Sequence, residues 1–169
     1  MRNPTRAHHR ATAVVAAALM SGGTMLATNA SAAVSDVSPA EQQAIVSQTN
    51  SVRQEAGQPP LTWDSALAAE AQAWADDPAS TAGGQLHHAD INNAAENMSS
   101  SSPSQATGQW AGEKSTYDAD PDHDYNSNPA GYQRWGHYYN MIQSNYRVVG
   151  CGSRSDVPTG SVTVCRYSG

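Results

Sequence analysis

The chain has 169 residues, with nine basic and fifteen acidic side chains, six histidines, two cysteines and no phenylalanine. Its formal net charge of −6 repels nucleic acid and anionic membranes, and no basic cluster offsets it. The sequence has no phosphate-binding glycine loop, no GxSxG elbow and no HExxH pair, so nucleotide, serine-hydrolase and zincin chemistry have nothing to rest on.

Residues 1–32 read as a signal peptide. Arg2, Arg6 and Arg10 precede an apolar stretch, Ala11 to Leu26, and Ala30-Ser31-Ala32 supplies the small-x-small cleavage pattern. Ser21-Gly22-Gly23-Thr24 interrupts the apolar stretch, which makes it a poor membrane anchor. The expected product is a secreted, extracellular, soluble monomer: a short tail at 33–37, then one domain over 38–169. Losing the three leader arginines leaves six basic against fifteen acidic side chains, a net charge of −9. In the oxidising compartment that a leader implies, Cys151 and Cys165 have one possible pairing, and such a bond contributes about 3 kcal/mol by loop closure.

Ser38-Pro39-Ala40-Glu41 has the signature of a capped helix start. Ile45, Thr49 and Val52 follow at helical spacing, and Gly57 with Pro59-Pro60 ends the element. A second helix is expected from Asp64, with Leu67, Ala71 and Trp74 on one stripe and Ala68 and Ala75 beside it. Residues 85–98 are ambiguous, and Ser99 to Ser102 reads as an exposed turn. Ser102-Pro103-Ser104-Gln105 repeats the capping signature and opens a third helix, on which Trp110, Glu113 and Tyr117 share a face. Asp118 to Ala130 reads as loop. Asp118, Asp120, Asp122 and Asp124 alternate as in a calcium loop, but His123 stands where glycine is required and Pro129 where the closing glutamate would fall, so a solvated acidic loop is expected. A short helix through Trp135, His137 and Met141 follows. Two strands, Arg147 to Cys151 and Val162 to Tyr167, then flank a turn at Ser155 to Gly160 and bring the cysteines face to face.

Four ionisable residues beside structured segments stand out: His88, Glu96, Glu113 and His137. Two imidazoles and two carboxylates suit a divalent cation, with the histidines as direct ligands, or a general acid/base set. Their spacing alone does not show that they converge, and His87 next to His88 leaves the ligand open by one position. Tyr132, Trp135, Tyr138 and Tyr139 crowd around His137 and are expected either to pack a short helix or to line a groove for an apolar or sugar ligand. Asn97-Met98-Ser99 is a glycosylation sequon.

Along the chain stand Asn50-Ser51-Val52-Arg53, Pro60-Leu61-Thr62-Trp63-Asp64, Leu67 with Trp74-Ala75, His88 followed by Glu96-Asn97, Trp110-x-x-Glu113-x-x-x-Tyr117, Gly136-His137-Tyr138, Val149-Gly150-Cys151-Gly152 and Val164-Cys165-Arg166-Tyr167. In order and spacing, these segments together resemble the CAP family (cysteine-rich secretory protein, antigen 5, pathogenesis-related 1). The match spans about residues 41 to 167. The resemblance implies an α+β fold, a three-layer α-β-α sandwich, with His88, Glu96, Glu113 and His137 meeting in a central cleft. It also implies a divalent cation such as zinc on His88 and His137, and links to sterol or fatty-acid binding, host defence and cell-wall roles. It implies a buried Asn97, which leaves the sequon unmodified. The chain departs from the family pattern at Ala95, where glycine is usual, at Tyr139-Asn140, and at Gln143 in place of tryptophan. The function expected is a non-enzymatic binding module whose cleft takes a divalent cation or whose groove takes a small apolar ligand. The alternatives are a metal-assisted hydrolase with Glu96 or Glu113 as base, and an interaction protein acting through its loops at 99–109 and 118–133.

Overall fold

The computed structural model describes residues 35–169; the expected leader and its cleavage site lie outside them. The elements in chain order are helix α1 (Pro39–Glu55), strand β1 (Thr62–Trp63), helix α2 (Ser65–Asp76), a 3-10 segment (Pro78–Gly84), strand β2 (Ala95–Ser99), helices α3 (Pro103–Gly112), α4 (Lys114–Ala119) and α5 (Pro129–Ile142), and strands β3 (Val148–Val157) and β4 (Gly160–Ser168).

Local chemistry explains where these elements start. Ser38 accepts from the Glu41 amide while the Glu41 carboxylate accepts from the Ser38 amide, so the capping box is closed at α1. Asp64 caps α2 through the Leu67 amide at 2.7 Å. At α3 the expected box is not formed: the Ser102 hydroxyl donates to Gln105 Oε1 and caps no backbone amide.

The four strands form one sheet in the order β1-β3-β4-β2, with β1 parallel to β3 and the other pairs antiparallel. Strand periodicity sends alternate residues to opposite faces. Val149, Cys151, Cys165 and Tyr167 pack with Ile45, Trp110 and Met141, on the side of α1, α3 and α5. Val162, Val164 and Met98 pack with Ala71 and Ala75 of α2 on the other side. These two cores make the three-layer α-β-α sandwich. Cys151 and Cys165 stand opposite each other in the β3–β4 register and form the disulfide, with their Cα atoms 4.1 Å apart.

The α2 layer lies very close to the sheet. A Cβ at Gly150 would overlap the Ala68 amide nitrogen, and one at Gly152 would overlap the Gln72 backbone. Gln72, buried on α2, uses that proximity: it donates to the Ser153 carbonyl at 2.9 Å and accepts from the Ser153 amide at 3.0 Å.

Several expectations need correction. On α1 the buried stripe is Ile45, Thr49 and Arg53; Val52 flanks it. On α2 it is Ala68, Ala71, Gln72 and Ala75, so Leu67 and Trp74 sit at the margin. Ser99 is buried at the end of β2 and is no exposed turn. The third helix breaks at Glu113, which ends α3 and precedes α4, so Trp110 and Tyr117 belong to different helices.

Candidate functional site: two histidine–glutamate pairs on one cavity

Glu96 lies on β2 directly opposite Arg166 of β4. Its carboxylate is almost fully buried, and three donors hold it: Arg166 Nε at 3.1 Å, the Ala89 amide at 3.0 Å and His88 Nδ1 at 3.0 Å. The buried charge is therefore paired and hydrogen-bonded, the condition under which burial is tolerated. The same contacts tie the irregular stretch around His88 to the sheet edge. His87 turns away, with Nε2 3.0 Å from the Ala82 carbonyl. The choice between neighbours thus falls on His88, whose side chain remains 60% exposed.

His137 sits on α5. The break after α3 brings Glu113 against it: Glu113 Oε1 lies 2.6 Å from His137 Nδ1, and Oε2 accepts from the His137 and Tyr138 amides at 3.0 and 3.2 Å. The His137 ring stacks on Trp110 at 5.9 Å between centroids. Behind it, Tyr132 Oη donates to Asn140 Oδ1, Asn140 Nδ2 to Asn97 Oδ1, and Asn97 Nδ2 to the His137 carbonyl. Asn97 is fully buried, as the resemblance implies, and its side chain is committed to His137 and Asn140.

His88, Glu96 and His137 line a cavity of about 350 Å³ together with Tyr125, Pro129, Tyr132, Gln133, Gly136 and Asn140. Glu113 is not on its wall and acts through His137. A carboxylate only accepts hydrogen bonds, so Nδ1 of each ring carries a proton and the lone pair of the neutral ring lies on Nε2. Neither Nε2 has a protein partner among the described residues. No group of three or more histidine, cysteine, aspartate or glutamate side chains able to hold a metal occurs among them. The cavity thus carries two imidazoles, each held through Nδ1 by a glutamate.

The expected aromatic groove forms only in part. Trp135 and Tyr138 are 0% and 2% exposed and belong to the core; their spacing of three turns both inward. Tyr132 reaches the cavity, where burial raises its phenol pKa, and Tyr139 packs against Tyr132 and opens beside Asp122 and Asn126. The acidic loop is less solvated than expected. Asp120 accepts from Trp135 Nε1 at 3.0 Å and from Asn128 at 3.0 Å, and the Trp135 hydrogen bond is the main reason its carboxyl sits below the usual range. Arg166, Asn140, Gln133 and Tyr125 were not legible as site residues. Arg166 is recognisable only once the register sets it opposite Glu96.

A mixed sheet between helical layers, with paired histidines and glutamates at its edge, defines the class. The chain belongs to the CAP (cysteine-rich secretory protein) family, whose model matches residues 46–167. Three solved structures share the fold. MpPR-1i has 22% identity, covers 77% of this chain and 88% of its own, and gives a TM-score of 0.52. Venom allergen-like protein 4 of Schistosoma mansoni has 21% identity, 76% and 87% coverage and a TM-score of 0.50. NaASP2, solved with Zn2+, has 17% identity, 78% and 80% coverage and a TM-score of 0.53. A sequence comparison with curated proteins found no match.

Proposed function

We propose that this protein is a secreted binding module whose cavity takes a divalent cation, such as zinc, on His88 and His137. The observation that carries the reading is the pair of imidazoles on one cavity, each with Nδ1 held by a glutamate and Nε2 free of protein partners. A carboxylate that accepts from the other ring nitrogen orients an imidazole and strengthens it as a ligand. Two protein ligands leave the remaining coordination positions to water or to a bound molecule, so the affinity should fall below that of a closed structural site. NaASP2, a protein of the same fold, was solved with Zn2+. Secretion rests on the leader pattern in residues 1–32 and on the disulfide.

A hydrolytic role has less support. Glu96 and Glu113 each already accept from three donors, which leaves neither poised to take a proton from water. A sterol or fatty-acid groove loses two of its four expected rings to the core.

Calorimetric titration of zinc into the chelator-treated protein tests the proposal. One equivalent should bind to the wild type and none to His88→Ala/His137→Ala. Equal binding by both would overturn it.

A further inference from the structure

The wall of the cavity built by α5 and the loop before it has its own chemistry. Tyr125 is 58% exposed and is the large hydrophobic side chain most open to solvent among the described residues. It stands at the cavity rim, edge-on to Tyr132 with 5.0 Å between ring centroids. Tyr132 packs closely on Gly136, where a Cβ would come within 3.0 Å of the ring. Its hydroxyl is fixed by Asn140 at 3.2 Å, so the ring is pinned and not merely resting there. The side-chain amide of Gln133, also on this wall, has no hydrogen-bond partner among the described residues. An aromatic ring beside the exposed Gln133 amide and the His137 imidazole nitrogen offers an aliphatic chain an apolar face but no use for those hydrogen-bonding groups. It suits a molecule with an apolar C–H face and a periphery of hydroxyls.

We propose that the cavity is a glycan subsite, in which one pyranose ring packs its C–H face on Tyr125, with Tyr132 standing at right angles beside it, while its hydroxyls bond to the Gln133 amide and the free nitrogen of His137. Polarised sugar C–H groups meet the negative face of the ring, and the hydroxyls replace water at donors and acceptors already in place. The volume of about 350 Å³ is at the small end for ligand sites and matches one or two sugar units. The strongly acidic charge of the chain favours a neutral sugar over a polyanionic one. The inference rests on reading this cavity as a ligand site but not on the cation.

Chitotriose, maltotriose and palmitate, each titrated into labelled protein in chelator and again in zinc, provide the test, followed by the backbone amides of residues 125–137. At least one of the two sugars should shift those signals in chelator. Tyr125→Ala should weaken that binding by about tenfold or more, and Tyr125→Phe should leave it within about twofold, as stacking on the ring face requires. Tyr125 is exposed, so neither change should alter the fold. No shift with either sugar, a response to palmitate alone, or sugar binding unchanged in Tyr125→Ala would overturn the inference. Zinc binding without sugar binding would remove this inference alone, and sugar binding without zinc binding would remove the cation reading alone.

Discussion

Glu113 holds His137 twice over, with one carboxylate oxygen 2.6 Å from the ring Nδ1 and the other 3.0 Å from the backbone amide of the same residue. Replacing Glu113 with glutamine leaves one acceptor oxygen where two are needed and sets an NH2 group against a donor. The imidazole is then free to turn or to shift its proton to Nε2. Zinc affinity of Glu113→Gln should fall by about 10–100-fold, with stability lowered by about 1–3 kcal/mol. Calorimetry and thermal melting check the two effects separately.

Arg53 is fully buried and meets no carboxylate. It donates to four carbonyls: Pro59 from Nε at 2.7 Å, Met141 and Gln143 from one terminal nitrogen, and Tyr146 from the other. Two of these close the C-terminal end of α5, where a cation is favoured by the helix dipole. Arg53→Met would keep much of the volume and abandon the carbonyls, at a cost of about 3 kcal/mol or more. Chemical denaturation should give an earlier midpoint with an unchanged slope.

Much of the fold was legible because it is encoded locally. The capping box at Ser38, the glycine and prolines after α1, and the β3–β4 hairpin with its paired cysteines all follow from neighbours in sequence. What escaped depends on distant partners. β1 has two residues and gains its strand character only by pairing with Val148 and Val149. Nothing next to Arg53 in sequence marks it as buried; α5 and the segment after it deliver most of the carbonyls it binds. The break at Glu113 has no proline or glycine at the residue itself, although it is the break that turns the carboxylate onto His137. The four cleft candidates came from the order of motifs, whereas the split among the aromatic residues was not readable because rings close in sequence point different ways on a helix: Trp135 and Tyr138 inward, Tyr132 and Tyr139 to the flanks.

The glycines of β3 give a prediction with an internal control. At Gly150 and Gly152 a methyl group would strike the α2 backbone, which has no flexible end to yield. Gly150→Ala and Gly152→Ala should each destabilise by about 1–3 kcal/mol or more. Gly108, inside α3, has nothing within 4 Å of a new Cβ, so Gly108→Ala should stabilise by about 0.5–1 kcal/mol. Melting curves of the three variants suffice.

Five tyrosines, Tyr117, Tyr132, Tyr138, Tyr146 and Tyr167, have phenol pKa values raised above the ordinary 10.0, in each case chiefly by burial. The folded state therefore keeps these phenols protonated where the unfolded chain would ionise. The stability this represents is fully present below pH 10 and is lost as pH rises through the folded values. The melting temperature should hold up to about pH 9.5 and then fall steeply. A curve flat to pH 11.5 would show that the phenols ionise without penalty.

The proposed cation site requires two imidazoles presenting Nε2 to one cavity. Long-range nitrogen–proton NMR on ring-labelled histidine reads this directly, before and after one equivalent of zinc. His88 and His137 should both appear as the Nδ1–H form in the neutral ring, and zinc should move the Nε2 signals of both together while His87 and His123 stay in place. Zinc shifts confined to one of the pair, or an Nε2–H form at either ring, would contradict the paired site.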